Sequence, residues 1–180
     1  MEKYINVLVN FLTVIIFIIA TLITIVTLNT KQFGITKIGN MVPITISSES
    51  MISSLKKDDL LFTEVYNKKD KLKKGDIITF LTFKDYKTVV ETHRIYKVIN
   101  DGGLLSYKTR GDNEKKIDSK ILIANDIVSV YTGNKVKYAG KLLDLLRNKN
   151  MFFITVILPL FLIIGYFTFD LFIKDEEHCA

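Results

Sequence analysis

The chain has 180 residues, enough for one ordinary domain, and carries a formal net charge of +6 at pH 7. Its single cysteine, Cys179, lies next to the last residue, which excludes a disulfide framework and a sortase-like cysteine nucleophile in the middle of the chain. Most lysines lie between two apolar blocks at the ends of the chain and form no dense basic run. This distribution indicates a solvated face, or one near anionic lipid, rather than a nucleic-acid site.

The N-terminal block predicts a membrane anchor over residues 1–28. Residues 4–28 contain no charged side chain, and about 20 apolar residues are enough to cross the hydrocarbon core of a bilayer. The alternative is a cleaved signal peptide, which typically has a shorter apolar region followed by a small-residue cleavage site. Because this block is too long for that role, we favour an anchor that remains part of the protein.

Residues 29–150 predict a β-rich domain. Short stretches that alternate apolar with polar residues are separated by lysine-rich or turn-forming segments, and β-branched and aromatic residues are frequent in them. The four predicted strands are residues 59–66, 76–83, 88–99 and 121–131. The sequence DGG at residues 101–103 predicts a hairpin turn, and residues 138–149 predict a helix that leads into the second apolar block.

The C-terminal block, residues 151–173, predicts a second membrane helix, followed by a short cytoplasmic tail over residues 174–180. A buried apolar hairpin of a soluble protein would need a larger core than the remaining residues can build. Two spans place both termini on one side of the membrane and the β-rich domain on the other. Lysines flank the spans mainly on the domain side, but the positive-inside rule weakens for loops longer than about 60 residues, so charge does not decide the side.

The stretch ISSESMISS, residues 46–54, places a candidate nucleophile, Ser50, between two apolar runs. A serine hydroxyl is a poor nucleophile until a base takes its proton. Of the two histidines, His178 lies in the tail beyond the second predicted span, which leaves His93 as the candidate base. A lone strand histidine is more often structural. Asp112 and Asp118 supply a candidate third member of a serine-histidine-aspartate site, although a lysine-rich turn such as GDN is also common as a solvated loop.

Five short stretches, in this order along the chain, resemble the motifs of the signal peptidase I family. SESM (48–51) is similar to its nucleophile motif S-G-S-M-x-P, DDLLFTEV (58–65) to G-D-L-V-F, and KKGDIITF (73–80) to G-D-I-V-x-F. THRI (92–95) carries histidine where the usual bacterial enzymes have a lysine base, and TRGDNEKKID (109–118) resembles K-G-D-N-x4-D. The histidine points to the endoplasmic-reticulum-type branch, found also in archaea and Gram-positive spore formers.

The resemblance implies a mostly β catalytic domain of the signal peptidase/LexA-like fold, flanked by two transmembrane helices in the plasma membrane, with the domain on the outer face. It also implies roles for individual residues. Ser50 would be the nucleophile, His93 the general base and Asp118 the first choice as the histidine's partner, with Asp112 holding the turn or sharing that role. The oxyanion hole would consist of the Ser50 backbone N–H and the Ser48 hydroxyl, and Met51 would contact substrate.

The implied function is removal of N-terminal signal peptides from exported precursor proteins by a membrane-bound serine endopeptidase. The resemblance implies no cofactor, metal or nucleic acid. The implied partners are signal-peptide-bearing precursors and the lipid bilayer, and contact with the export machinery is compatible with this role. Two positions depart from the nucleophile motif, with Glu49 in place of glycine and Ser53 in place of proline. They favour the alternative of an inactive membrane-tethered β module that binds exported proteins. A serine-lysine protease of related fold is a further alternative.

Overall fold

The computed structural model describes residues 2–30, 32–148, 150 and 153–166. Asn29–Asp144 form one compact unit, which lies within the predicted range of the β-rich domain, 29–150. The helical residues at the two ends of the chain are counted apart from this unit. The tail 174–180, with His178, lies outside the described residues, as does part of the predicted second span.

The first helix, α1, spans Glu2–Asn29. Within it, Asn10–Asn29 is long and apolar enough to cross a membrane, and only 11% of that stretch is buried. Its threonines are compatible with lipid because their hydroxyls donate to backbone carbonyls one turn earlier: Thr21 Oγ1 lies 2.8 Å from the Phe17 oxygen, and Thr24 Oγ1 lies 2.8 Å from the Ala20 oxygen. The apolar N-terminal helix that the sequence predicts is therefore present.

The β-rich prediction is confirmed by a seven-stranded sheet whose strands are all paired antiparallel. The strands are β1 (Met41–Thr45), β2 (Leu60–Val65), β3 (Ile77–Lys84), β4 (Lys87–Asp101), β5 (Leu104–Arg110), β6 (Leu122–Ile123) and β7 (Ile127–Val136). Their order in the sheet is β1-β2-β7-β3-β4-β5-β6, so β1 and β6 are the edges.

Two strand predictions differ from the structure. Strand β1 is absent from the prediction, and the single strand predicted for residues 121–131 is two strands, β6 and β7. The break between them is a turn in which the backbone N–H of Ile123 donates to the Asp126 carboxylate at 3.0 Å. The backbone N–H of Asp126 in turn donates to the Ile123 carbonyl at 3.0 Å. These local bonds replace strand pairing across the turn.

The DGG hairpin prediction is confirmed. Asp101 pairs with Leu104, so the connection between β4 and β5 is the two residues Gly102 and Gly103, with φ values of 56° and 93°. A two-residue turn of this kind needs positive φ at both central positions, which glycine adopts without steric cost.

Strands β1 and β4 lie far apart in the order of the sheet. Four inter-strand spacings separate β1 from β4, which would be about 19 Å in a flat sheet. Register shifts occur at Phe62/Thr63 in β2, at Thr79/Phe80 in β3 and at Ile95/Lys97 in β4. Such bulges increase the local twist and bend the strand. Together with the long β1–β2 loop, residues 46–59, they allow a residue after β1 to reach β4.

The C-terminal part contains helix α2 (Gly140–Arg147), which lies inside the predicted helix 138–149. A π-helix spans Phe153–Ile157, and residues 158–166 continue as an α-helix. The other residues of the predicted span 151–173 lie outside those described. Within the described part of the chain, α1 alone meets the length and composition of a membrane helix, so the second span remains a prediction.

The buried apolar side chains form two clusters. One consists of residues from β1, β2, the β1–β2 loop and the start of β3, and the other of Leu72 and residues from β3, β4, β5, β6 and β7. The first cluster contains Val42, Ile44, Ile46, Met51, Leu55, Leu61 and Ile77. Because three of its members, Ile46, Met51 and Leu55, come from the β1–β2 loop, that loop is fixed by the core.

Replacement of Leu61 by alanine tests this packing. Leu61 is 0% exposed, so Leu61→Ala should lower the free energy of unfolding by about 2–5 kcal/mol through lost burial and the cavity left behind. Leu104→Ala is the matched control, because Leu104 is 68% exposed and its loss should change stability by less than about 0.5 kcal/mol. The measurement is denaturant unfolding of the full chain in detergent. Equal effects of the two substitutions would contradict the core assignment.

Candidate active site

The turn after β1 presents Ser50. Backbone N–H groups of Ile52 and Leu55 donate to the carbonyls of Glu49 and Met51 at 3.2 and 2.7 Å, which closes the turn. Met51 and Leu55 are each 1% exposed and anchor the turn in the core. Ser50 is thereby left half-buried at the surface, with its hydroxyl directed away from that core and toward β4.

Met51, which the resemblance assigns to substrate contact, is enclosed by other parts of the protein. Its side chain is buried in the first core cluster. Its sulfur accepts a hydrogen bond from the backbone N–H of Asp112 at 3.3 Å. A side chain enclosed in this way holds the turn that carries Ser50, and its contact with substrate stays a prediction.

His93 lies in β4, opposite Ile78 of β3, and its side chain is almost fully buried. Its Nε2 is 3.1 Å from Ser50 Oγ, and its Nδ1 is 2.8 Å from Asp118 Oδ2. The ring packs edge-on against Phe80, with 6.0 Å between ring centroids. The imidazole therefore has one nitrogen on the serine and the other on a carboxylate.

Asp118 follows β5, and its carboxylate has a fixed orientation. Besides His93, Oδ2 accepts a hydrogen bond from the Thr109 hydroxyl at 2.6 Å. The backbone N–H of Asp118 donates to the Thr109 carbonyl at 3.0 Å. Thr109 is itself fully buried in β5, so this strand determines where the carboxylate points. An acceptor at His93 Nδ1 selects the tautomer whose Nε2 can accept the serine proton.

The charges around His93 favour its protonated form. Burial by itself lowers the pKa of His93, but the hydrogen bond to Asp118 and the negative charges of Asp118, Glu114 and Glu91 together raise the pKa above its ordinary value. For Asp118, burial acts to raise the pKa, but hydrogen bonds from His93 and Thr109 and the charge of His93 outweigh it and leave the pKa low. The pair thus behaves as a carboxylate beside a readily protonated imidazole.

Ser48 lies beside the candidate nucleophile. Its Oγ is 3.0 Å from Ser50 Oγ, and its side chain is exposed. The structure thus brings Ser48, Ser50, His93 and Asp118 together as the sequence predicts, although the distances alone assign no role to any of them.

Asp112 lies apart from this hydrogen-bond chain. One oxygen of its carboxylate accepts from Arg94 Nε at 2.8 Å and the other from Arg94 Nη2 at 2.6 Å, a bidentate pair. The second oxygen also accepts from the Ser54 hydroxyl. Both oxygens are bound in this way, and none of these bonds is to His93, an arrangement that favours the expectation that Asp112 holds the turn. The Arg94 charge also keeps the pKa of Asp112 below its ordinary value.

Two residues of the turn after β5 fix the backbone of Ser50. The Asn113 backbone N–H donates to the Ser50 carbonyl at 2.8 Å. Gly111 approaches so closely that a Cβ at this position would lie 2.8 Å from the Ser50 carbonyl oxygen and 3.0 Å from the Ser50 Cβ. Glycine is required here by the close approach of two backbones.

The sequence predictions did not include Arg94, Ser54, Gly111 or Glu114. Arg94 directly follows His93 in the sequence. An arginine in a predicted strand, with an aspartate in a later turn, is the signal that could have indicated the pair of Arg94 with Asp112. Gly111 stands in the RGDN turn, which the sequence indicates only as a lysine-rich turn and as part of a motif similar to K-G-D-N-x4-D. Glu114 differs, since nothing in its sequence surroundings distinguishes it from the charged residues of a solvated turn.

The two departures from the nucleophile motif are accommodated. Glu49 and Ser53 are both exposed. The described non-glycine residues with positive φ are Phe33, Asp58, Asp85, Tyr86 and Tyr138. Because Glu49 is not among them, its backbone conformation does not require glycine.

One group of side chains has the donor types of a metal site. Ligand atoms of His93, Glu114 and Asp118 lie within 4.8 Å of one another. The His93 and Asp118 atoms are already hydrogen-bonded to each other, so a cation would have to compete with that bond. In this structure the Asp118 carboxylate therefore orients the His93 imidazole.

Comparison with known proteins gives one clear similarity. No family model matches the chain. The chain is 32% identical over 130 residues to signal peptidase I W of Bacillus subtilis (strain 168). The aligned region covers 69% of this chain and 64% of that protein, so the chain spans less than two thirds of its relative.

A titration of His93 tests the electrostatic description. In a His178→Gln background the full chain has a single histidine, whose imidazole signals can be followed by NMR in detergent micelles. Asp118→Asn should lower the pKa of His93, because the amide supplies no negative charge. Glu114→Gln should lower it by less, since it removes only a more distant charge.

Glu64→Gln, an exposed position on β2, is the matched control and should leave the titration unchanged. An unaltered His93 titration in Asp118→Asn would show that the carboxylate does not set the protonation of the imidazole.

Proposed function

Because the chain belongs to the signal peptidase I family, we propose that it is a membrane-anchored serine endopeptidase that removes N-terminal signal peptides from exported proteins. Its substrates are precursors that carry a signal peptide. We place it in the branch that uses a serine-histidine-aspartate set, with the β-rich domain on the outer face of the plasma membrane and both termini in the cytoplasm.

The observation that carries this proposal is the continuous hydrogen-bond chain from Asp118 through His93 to Ser50. Each member has the chemistry that its role requires. The serine hydroxyl lies at the protein surface, the imidazole bridges it to a carboxylate, and that carboxylate is oriented by Thr109. A nucleophile within hydrogen-bond reach of a base, itself oriented by a third group, is the arrangement that activates serine.

In the acylation step, Ser50 Oγ attacks the carbonyl carbon of the last signal-peptide residue. His93 Nε2 takes the hydroxyl proton as the new C–O bond forms. Asp118 keeps the other ring proton on Nδ1 and stabilises the imidazolium. The imidazolium then protonates the leaving nitrogen as the peptide bond breaks, and the mature protein departs with a free amine.

Hydrolysis of the acyl-enzyme uses the same groups in reverse. Water attacks the ester carbonyl while His93 accepts its proton, and the proton then returns to Ser50 Oγ as the ester bond breaks. His93 must be neutral at the start of both half-reactions. Because its pKa is raised, cleavage should increase with pH as His93 loses its proton.

The developing oxyanion would be bound by the Ser50 backbone N–H and the Ser48 hydroxyl. Ser48 Oγ lies beside Ser50 Oγ, and a hydroxyl rotates freely enough to turn toward an oxyanion next to it. Loss of one such donor typically reduces the rate by about 10²- to 10³-fold. Ser48 would therefore contribute less than Ser50 or His93.

The membrane anchor suits this substrate. A signal peptide and α1 confined to one bilayer meet at a higher effective concentration than two solutes, without any added contact between them. The same argument applies to the inactive-module alternative, which would bind exported proteins without cutting them. The serine-lysine alternative is less well supported, because the basic side chain that is hydrogen-bonded to Ser50 Oγ is His93.

Removal of either member of the serine-histidine pair should abolish cleavage. We expect Ser50→Ala and His93→Ala to reduce the cleavage of an exported precursor in membranes to background, a loss of roughly 10⁴-fold or more. Ser53→Ala is the matched control, because Ser53 is exposed in the same turn and should retain activity. The measurement is conversion of precursor to mature protein on a gel.

Three outcomes discriminate the alternatives. Activity that survives His93→Ala would support the serine-lysine reading. If the unaltered chain cuts none of the precursors from its own cell, the inactive module takes precedence. Equal loss in Ser53→Ala and Ser50→Ala would indicate damage to the turn rather than loss of a nucleophile.

Gly111→Ala should impair cleavage by moving Ser50. The added Cβ would meet the Ser50 backbone, which cannot rotate away as a side chain does. A displacement of about 1 Å can cost about 10²-fold in rate. Gly133→Ala is the control, since φ is 101° at Gly133 in β7 and an alanine there is strained without meeting Ser50. Both variants should lose stability, and only Gly111→Ala should lose most activity below its unfolding temperature.

A further inference from the structure

Helix α2 has an unusual orientation of its apolar side chains. A surface helix normally turns its leucines toward the core and its polar residues toward solvent. In α2, Leu142 and Leu145 are 60% and 49% exposed. These two positions are three residues apart and therefore neighbours on one face of the helix. The outer face of α2, defined as Lys141, Leu142 and Leu145, is thus largely apolar.

The opposite face of α2 is fixed against the β-rich unit. The Gly140 backbone N–H donates to the Asp58 carbonyl at 2.8 Å. The Thr45 hydroxyl donates to the Gly140 carbonyl at 3.2 Å and to Asp144 Oδ1 at 3.1 Å. Leu143 is buried. Because a glycine, a carboxylate and one leucine occupy the inner face, the helix cannot turn its outer leucines inward without losing these contacts.

The chain that follows α2 indicates what covers the outer face. The apolar block begins at Met151, four residues after α2 ends at Arg147, a distance of at most about 14 Å along the chain. Residues 153–166 are helical and display exposed apolar side chains such as Phe161 and Leu162. If these side chains lie in a bilayer, the short connection keeps α2 close to the surface of that bilayer.

The charge of Lys141 also favours a bilayer surface as the partner of this face. Lys141 belongs to the outer face, and its side chain is 76% exposed although Nζ is 3.2 Å from the Asp58 carboxylate. Such a surface pair contributes little energy and leaves the ammonium available to other anions. Lysine next to exposed leucines on one helix is the composition of helices that lie in the interface of anionic membranes.

We propose that the outer face of α2 lies on the bilayer surface, with Leu142 and Leu145 in the boundary between headgroups and acyl chains and Lys141 among anionic headgroups. The consequence for catalysis rests on the proposed function. Thr45, which binds α2, lies five residues before Ser50 on the same segment. The docked helix would therefore hold Ser50 at a fixed height above the membrane, where a signal peptide emerges from it.

The depth of Leu142 can be measured without any catalytic assay. The full chain with Cys179→Ser and Leu142→Cys, labelled with an environment-sensitive fluorophore, is reconstituted in vesicles of phosphatidylglycerol and phosphatidylethanolamine. Leu104→Cys is the matched control, because Leu104 is 68% exposed at the start of β5. We expect blue-shifted emission at position 142 and several-fold stronger quenching there than at position 104 by lipids with a shallow nitroxide, since such helices insert about 5–10 Å.

Position 145 provides the second variant, and Leu145→Cys should behave as Leu142→Cys does. Emission at 142 that equals emission at 104 would overturn the proposal. A blue shift without quenching by lipid would also overturn it, since it would mean that protein covers the face. Thermal unfolding of each labelled variant shows whether the fold is retained.

Catalysis supplies a separate test. Leu142→Asp should lower cleavage of a membrane-embedded precursor several-fold and leave cleavage of a short water-soluble peptide unchanged, whereas Leu104→Asp should change neither. Equal loss on both substrates would contradict a role in positioning. If no variant and no unaltered chain cleaves any substrate, the proposed peptidase function fails, while the depth measurement still decides the location of α2.

Discussion

The contact between the turn that carries Ser50 and the turn that follows β5 is the constraint on which the rest of the site depends. Strands β1 and β4 are distant in the sheet order, so nothing in strand pairing alone brings Ser50 to His93. The backbone bond from Asn113 to Ser50 and the close approach of Gly111 join the two turns. Since Asp118 follows in the same connection, one contact positions both the hydroxyl and the carboxylate around the imidazole.

A second layer of charged contacts stabilises the Ser50 turn from the side away from His93. The Arg94 guanidinium binds the Asp112 carboxylate, the Ser54 hydroxyl and the Gly75 carbonyl, and so joins four segments of the chain. Lys135 adds another link by donating to the Ser54 carbonyl at 2.9 Å and to buried Asp59 at 2.8 Å. The Ser50 turn is thus held by charge-assisted hydrogen bonds as well as by Met51 and Leu55 in the core.

Local patterns in the sequence predict most of the sheet and the membership of the site, and they fail where a residue's role depends on distant contacts. Alternation and the DGG turn are local, whereas β1 is an edge strand that contains Pro43, and proline weakens its strand signal. Asp112 and Asp118 are the same residue type in one turn, and only the reach of Arg94 separates their roles. The burial of Met51 could not be predicted from the sequence either, because a motif gives the identity of a residue and not the direction of its side chain.

The energetic cost of the site argues against the inactive module. His93 is 3% exposed and lies in the sheet beside the Asp118 carboxylate. Burying ionisable groups costs desolvation energy, and a well-packed apolar pair would stabilise a strand at least as well. Buried ionisable groups with shifted pKa values, placed against a surface hydroxyl, are typical of catalytic sites. A module that only binds exported proteins gains nothing from this arrangement. Exposed Glu49, whose charge is largely screened by solvent, does not offset that argument.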